Sequence, residues 1–201
     1  MKLYGMASSR TRRALWTLEE AGAEFTYHEI DLRKGEHRQP SYLSINPNGK
    51  VPALVDGDLT LFETGAICNY IAGKYPAAHL LPDPASHDAA LCQQWIFWVI
   101  GELEQPLWTM AKHRFVLPEQ RRVPAMIDVA AFEWQRPGRI LEDHLAGREY
   151  MVGDAFTLAD IFVAHTLNWA RGASVDLPGD TIGSYLDRML ERPAFKRTLE
   201  Y

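Results

Sequence analysis

The chain has 201 residues, 47% of them hydrophobic, and a formal net charge of −5. That length suits one large domain or two small ones with a substantial core. An acidic balance without any basic block excludes nucleic acid as the main partner, and no apolar run approaches the ~20 residues that span a bilayer.

The N-terminus also lacks the apolar stretch of about 7–15 residues that marks a secretory signal. Cys68 and Cys92 sit in apolar helical patterns, with no CxxC and no Cys/His metal spacing. They read as buried small hydrophobes in a reducing, cytoplasmic compartment, and no metal is expected. No membrane partner is expected either.

Taken in order, Lys2-Leu3-Tyr4 is a short strand and Gly5-Met6-Ala7-Ser8-Ser9 a loop. From Thr11 to Gly22 the apolar residues Leu15, Leu18 and Ala21 share a helical face, with Gly22 as the C-terminal cap. Phe25–Ile30 alternates like a strand, completing a βαβ unit whose strands run parallel. Residues 32–45 are polar, with a short helix around Tyr42-Leu43. Ala53-Leu54-Val55 and Leu59–Phe62 flank Asp56-Gly57-Asp58 as a hairpin. Thr64 stands at an N-cap position before a helix to about Tyr75. A helix start presents unpaired N–H groups, so a ligand carboxylate fits there. Pro52 precedes a strand, where an X-Pro bond marks a tight turn or a plain trans strand edge.

Residues 77–86 read as a linker, rich in proline. No strand pattern follows it. His87 to about Phe115 reads as one long helix with two apolar stripes, interrupted or kinked at Pro106. One stripe holds Leu91, Trp95 and Trp98; the other holds Cys92, Ile96, Val99 and Leu103. One of the two is free to face a partner subunit or a pocket. A second helical region opens at Pro118-Glu119, or at Pro124, and runs to about Leu145 with a kink at Pro137-Gly138. Thr157 to Asp160 has capping-box spacing, flanked by the staple pair Phe156 and Ile161. Helices to about Arg171, from Thr181 to Leu190, and a last turn after Pro193 complete the chain.

The motifs Asn46-Pro-Asn-Gly-Lys-Val-Pro52, Glu63-Thr64-Gly-Ala-Ile67, Leu18-Glu-Glu-Ala-Gly22 and Phe156-Thr-Leu-Ala-Asp160 occur in the order and spacing of one family. Over essentially its whole length the chain resembles the cytosolic glutathione S-transferases, in particular bacterial, theta-like members of the serine type. The resemblance implies an α/β thioredoxin-like N-terminal domain (βαβ-ββα) over residues 1–76, and an all-α C-terminal domain over residues 87–201. It implies a cis bond before Pro52, with Val51 pairing the cysteinyl backbone of glutathione, the co-substrate. Glu63 and Thr64 match the pair that holds the γ-glutamyl end. The chemistry agrees, since a carboxylate takes an ammonium and a helix start with a hydroxyl takes a carboxylate. Lys50 and His37 resemble positions that approach the glycyl carboxylate; a plain surface-loop role is the equal alternative for His37.

The resemblance places the catalytic residue near the end of the first strand or the start of the first helix. Ser9 is the first choice there, with Ser8 and Thr11 behind it, and Arg10 or Arg13 adding positive potential. The implied reaction conjugates the glutathione thiolate to a small hydrophobic electrophile, in detoxification. Met6, Trp98, Met110, His113 and Phe115 are candidates for the second-substrate pocket, with core packing as the alternative for each, and a helix-face role rather than acid–base chemistry for His113. Asp160 is structural. A homodimer is implied, consistent with the second stripe on the helix from His87. Two other readings stand beside the transferase: a glutathione-dependent peroxidase or reductase, and a non-catalytic glutathione-binding dimeric module.

Overall fold

The computed structural model describes residues 1–201, which divide into two compact units: Met1–Ala89 with Leu190–Tyr201, and Ala90–Met189. In the first unit the elements are β1 (Lys2–Gly5), α1 (Thr11–Glu20), β2 (Thr26–Glu29), α2 (Pro40–Leu43), β3 (Ala53–Asp56), β4 (Leu59–Phe62) and α3 (Thr64–Lys74). The strands form one sheet in the order β2-β1-β3-β4. β1 runs parallel to β2 and antiparallel to β3, and β3 and β4 form the hairpin. The thioredoxin-like expectation is met, including the hairpin turn, where Gly57 takes φ 59°.

The core of this unit is fully buried at Leu3, Ala14, Leu15, Trp16, Leu18, Ile67 and Ile71. Each such large side chain contributes about 1.5–3 kcal/mol relative to exposure. β1 and the start of α1 approach closely because Gly5 has no side chain: a Cβ there would lie 2.2 Å from Thr11 Oγ1. The segment that closes the chain, with α9 (Pro193–Arg197), packs on α1. Phe195 meets Trp16 edge-on at 4.8 Å between ring centroids.

The second unit holds no strand. It begins within α4 (His87–Trp98), continues through a π-helical turn Val99–Leu103 into α5 (Glu104–Ala111), and then through a second π turn, Lys112–Val116. The expected single helix is therefore interrupted twice. The first interruption lies directly ahead of Pro106, which has no N–H to return to the preceding turn; the Gln105 side chain donates to the Ile100 carbonyl, within the interruption, at 2.8 Å. The stripe Cys92, Ile96, Val99 and Leu103 is buried within the chain, so it is not the one left for a partner. On α4 the exposed apolar residues are Leu91 and Phe97.

Next comes α6 (Ala125–Leu145), whose start corrects the Pro118 alternative: Pro118 only leads into a 3₁₀ turn at Glu119–Arg121, and Pro124 precedes the helix. α6 runs through Pro137-Gly138 as one element. Both residues are buried, and a Cβ on Gly138 would lie 2.1 Å from Pro178 Cγ. α7 (Leu158–Gly172) opens with the expected capping box. The Asp160 carboxylate also accepts from Met151 N–H and the Tyr185 hydroxyl, each at 2.8 Å. An acidic residue at this place thus joins three separate stretches of the chain, α8 (Asp180–Leu190) among them. No helix is long and apolar enough to cross a membrane. No group of three or more His, Cys, Asp or Glu side chains gathers as a metal ion requires.

Candidate functional site

The sheet register brings three separated loops to one end of the first unit. Ala53 at the start of β3 pairs with Tyr4 near the end of β1 and with Phe62 at the end of β4. Residues that leave β1, enter β3 or leave β4 therefore meet at this edge. They are Met6–Arg10, Lys50–Pro52 and Glu63-Thr64.

The middle loop is held by its own polar groups. Asn46 is buried; its Oδ1 accepts Asn48 N–H at 3.0 Å, and its Nδ2 donates to the Lys50 carbonyl at 2.7 Å. The Tyr42 hydroxyl, on α2, donates to the same carbonyl at 2.6 Å. Burial, partly offset by Asn46, pushes the Tyr42 pKa up to about 12, so this hydroxyl stays a donor. With Lys50 fixed, the cis Val51-Pro52 bond follows, as the resemblance implied. Neither the N–H nor the carbonyl of Val51 makes a backbone bond within the chain. Such a residue is an open pairing edge for an extended peptide. The His37 carbonyl lies 3.1 Å from where a Cβ on Gly49 would stand, so His37 flanks Lys50. Its Nδ1 is buried without a partner, and burial followed by Arg38 holds the ring's pKa below the usual value.

At the third loop the structure shifts the expected cap by one residue. Glu63, not Thr64, is the N-cap of α3, and it takes φ 70° and ψ 116°. For a non-glycine residue that backbone costs about 1–3 kcal/mol. The first helical bond is Ile67 N–H to the Glu63 carbonyl, so the N–H groups of Thr64, Gly65 and Ala66 remain unpaired. No side chain caps them. Thr64 is buried and its hydroxyl has no partner in the chain, while the Glu63 carboxylate is exposed.

In the first loop the two serines differ. The Ser9 hydroxyl donates to the Met6 carbonyl at 2.7 Å and lies 2.9 Å from Thr11 Oγ1, and its oxygen accepts Thr11 N–H at 3.1 Å. It closes the turn into α1. Thr11 is fully buried. Ser8 is exposed, and its hydroxyl has no partner in the chain. Met6 and Arg10 are partly buried. Arg13 is 1% exposed inside the unit, on the far side of α1 from solvent.

The pocket candidates of the second unit share one stretch. Trp98 borders the first π turn, Met110 is buried in α5, and His113 and Phe115 lie in the second π turn. His113 Nδ1 accepts Val123 N–H at 3.1 Å, a structural tie that suits the helix-face reading. Phe115 is 67% exposed. Burial raises both thiols, that of Cys68 to about 12, so neither offers a thiolate.

Two sequence profiles match the chain: Glutathione S-transferase, N-terminal domain, over residues 1–73, and Glutathione S-transferase, C-terminal domain, over residues 124–197. Glutathione S-transferase 3 of Zea mays is 34% identical, covering 99% of this chain and 93% of the relative. The chain belongs to the glutathione S-transferase family. Glutathione transferase F7 of Populus trichocarpa superposes with a TM-score of 0.87 at 31% identity, covering 99% of this chain and 97% of that one. A transferase from Phanerochaete chrysosporium, URE2P6, crystallised with oxidised glutathione, gives 0.85 at 28% identity, with 99% and 94% covered. The first two of these relatives are plant proteins, and they do not support the bacterial, theta-like placement made from the sequence.

As a glutathione S-transferase the chain has the expected fold, but parts of its site carry no signature in the motif residues. Tyr42 lies outside the Asn46–Pro52 motif it braces. The positive φ of Glu63 has no mark in a glutamate codon. An Asn followed by Pro-Asn-Gly does announce the side-chain-braced turn at Asn46.

Proposed function

We propose that this glutathione transferase binds glutathione across the sheet edge and conjugates its sulfur to a small hydrophobic electrophile. The observation that carries the reading is the register at Ala53, which supports a single ligand spanning all three loops. Val51 pairs the cysteinyl backbone. The unpaired amides of α3 and the Thr64 hydroxyl take the γ-glutamyl carboxylate, and Glu63 takes the ammonium. The strained Glu63 backbone is the kind of outlier that a ligand clamp retains. Lys50 and His37 take the glycyl carboxylate.

Ser9 is the sulfur's donor, its rotatable hydroxyl turning from the Met6 carbonyl to the ligand, with Ser8 as the alternative. A free thiol titrates near ~8.5. A hydroxyl donor, the start of α1 and Arg10 all favour the thiolate. Lowering the bound thiol by about two units is worth roughly 2.7 kcal/mol. The thiolate then forms a carbon–sulfur bond, and the electrophile loses its leaving group or takes a proton from water. In the second unit, Trp98, Met110, His113 and Phe115 are the side chains we propose to shape the choice of electrophile.

Calorimetry with glutathione, followed by an assay with a chloronitroaromatic acceptor, tests the reading; no binding at millimolar glutathione overturns it. We place the enzyme in the cytoplasm as a detoxification homodimer. The exposed apolar residues Leu91, Phe97, Val129 and Phe132 support a self-association surface in the second unit. Sedimentation as a monomer at micromolar concentration overturns the dimer.

A further inference from the structure

Val51 inherits its orientation from the peptide unit that precedes it. The Lys50 carbonyl and the Val51 N–H belong to one planar trans unit, so they point in opposite directions. Whatever fixes the carbonyl oxygen therefore aims the N–H. Two donors fix it, the Tyr42 hydroxyl at 2.6 Å and Asn46 Nδ2 at 2.7 Å. Both lone pairs of that oxygen are thereby taken. Beyond Val51 the chain passes through buried Pro52 into β3, where Ala53 is fully buried and pairs with Tyr4. Val51 is thus framed on both sides, while its own N–H makes no backbone bond within the chain.

The two donors are themselves fixed, and to each other. Asn46 N–H bonds the Tyr42 carbonyl at 2.9 Å, and Asn46 Oδ1 is committed to Asn48 N–H. Both side chains are buried. Lys50, by contrast, is exposed. A turn kept only for stability needs one protein donor on such a carbonyl, since water serves the second lone pair. The chain instead commits a buried tyrosine hydroxyl to it. A second donor adds direction and polarity. It removes the remaining freedom of the peptide plane, and a doubly bonded carbonyl makes the N–H of the same unit a stronger donor.

We propose that Tyr42 and Asn46 form a clamp that aims the Val51 N–H at the cysteinyl carbonyl of glutathione. Both are positioning residues, acting through the Lys50–Val51 peptide unit rather than on the ligand. The inference rests on the glutathione reading above. The cysteinyl carbonyl takes no part in the bond-making at sulfur, so the contact is the same before and during reaction. Its loss should therefore appear in KM for glutathione and not in kcat.

The test uses the full chain with Tyr42→Phe, which removes only the hydroxyl. It adds Asn46→Asp, which keeps the acceptor for Asn48 N–H and loses the donor, and the two changes together. Three quantities are measured: Kd for glutathione by calorimetry, kcat and KM for glutathione, and the order parameter of the Val51 amide in the free protein by nitrogen relaxation. Tyr42→Phe should raise Kd and KM about fivefold, the worth of one neutral hydrogen bond, and leave kcat within about twofold. Asn46→Asp should raise them about tenfold, since a carboxylate oxygen then faces the Lys50 carbonyl. The double variant should lose more than the product of the two, because each single variant keeps one partner side chain on the carbonyl. The Val51 order parameter should fall from the rigid value of about 0.85 while those of β3 stay there. A lower melting temperature with unchanged Kd, KM and Val51 order parameter overturns the clamp. A wild-type chain that binds no glutathione at millimolar concentration overturns the glutathione reading instead. The order parameter, measured without ligand, then decides the aim of the clamp by itself: a fall in Tyr42→Phe supports it, and no change overturns it.

Discussion

The two ends of the proposed reaction are built in different ways. At the sheet edge of the first unit, the groups that face the ligand are mostly backbone: the N–H and carbonyl of Val51, and the amides of Thr64, Gly65 and Ala66. They are placed by register, by an asparagine-braced turn and by a helix start. In the second unit the candidate groups are side chains, Trp98, Met110, His113 and Phe115, set on a helix that widens twice into π turns. Backbone geometry tolerates few residue types, so the first region admits little variation. A side-chain pocket accepts any shape that packs, so the second is free to differ in substrate preference without loss of fold.

The largest expected effect tests whether the second unit depends on its own polar core. Asp160 is fully buried and accepts from Met151, Thr157 and Tyr185. Asp160→Ala leaves buried donors unpaired and removes a cap, for a loss of about 3 kcal/mol in unfolding free energy. Denaturant unfolding measures it. Glutathione affinity of the folded fraction should be unchanged; a parallel loss of affinity would erase the separation between the two regions.

Ser9→Ala is next, at roughly 2.7 kcal/mol, or about a hundredfold in kcat/KM, if the hydroxyl supplies the full two-unit shift of the bound thiol. It also opens the turn into α1 and costs about 1–2 kcal/mol of stability through the lost Met6 and Thr11 bonds. Ser8→Ala should leave stability unchanged, with a much smaller rise in thiol pKa. A larger pKa rise in Ser8→Ala than in Ser9→Ala would move the role to Ser8. This pair marks where the sequence is least legible. Adjacent serines before a helix look alike as letters. Which one faces the ligand depends on the path of the chain between Gly5 and Thr11, and so on the missing Gly5 side chain.

The rest of the first unit was far more readable. Alternation and punctuation placed every strand, and Gly22 and Gly57 stood where a positive φ is needed. The Thr157–Asp160 spacing announced the start of α7, although not Tyr185, because that contact is set by packing over a long separation. Glu19 and Glu20 lay in a recognisable motif, but their partners in Leu190–Tyr201 share no local pattern with them. The π turns also escaped: period 3.6 continues to either side of Pro106, and only the folded helix shows where the extra residue is taken up.

A smaller effect probes the side-chain region directly. Phe115→Ala should change the preference between a small and a bulky electrophile by about tenfold, the range that one apolar contact commands. KM for glutathione should not move. Competition assays with two acceptors of different size measure it, and a change confined to KM for glutathione would mean that Phe115 belongs to the first region instead.

The smallest effect concerns Glu142, whose carboxylate caps α8 by accepting Thr181 N–H at 3.0 Å and Ile182 N–H at 2.9 Å. Burial alone would raise its pKa, but the Thr181 hydroxyl and these two amides outweigh burial and hold it below the ordinary 4.5. The unfolded chain therefore binds the proton first as pH falls. The stabilisation is complete above about pH 4.5 and is lost as pH falls through the lower, folded value. Glu142→Gln keeps an acceptor but not the charge at the helix start, so at neutral pH it should cost about 0.5 kcal/mol. Unfolding midpoints of the two proteins, measured from neutral pH downward, should converge below about pH 4.5. A gap that persists or widens there would mean that the carboxylate is not the group that caps α8. The bare Gly179 beside it, where a Cβ would lie 2.2 Å from the Glu142 carboxyl carbon, would then be there for backbone shape alone.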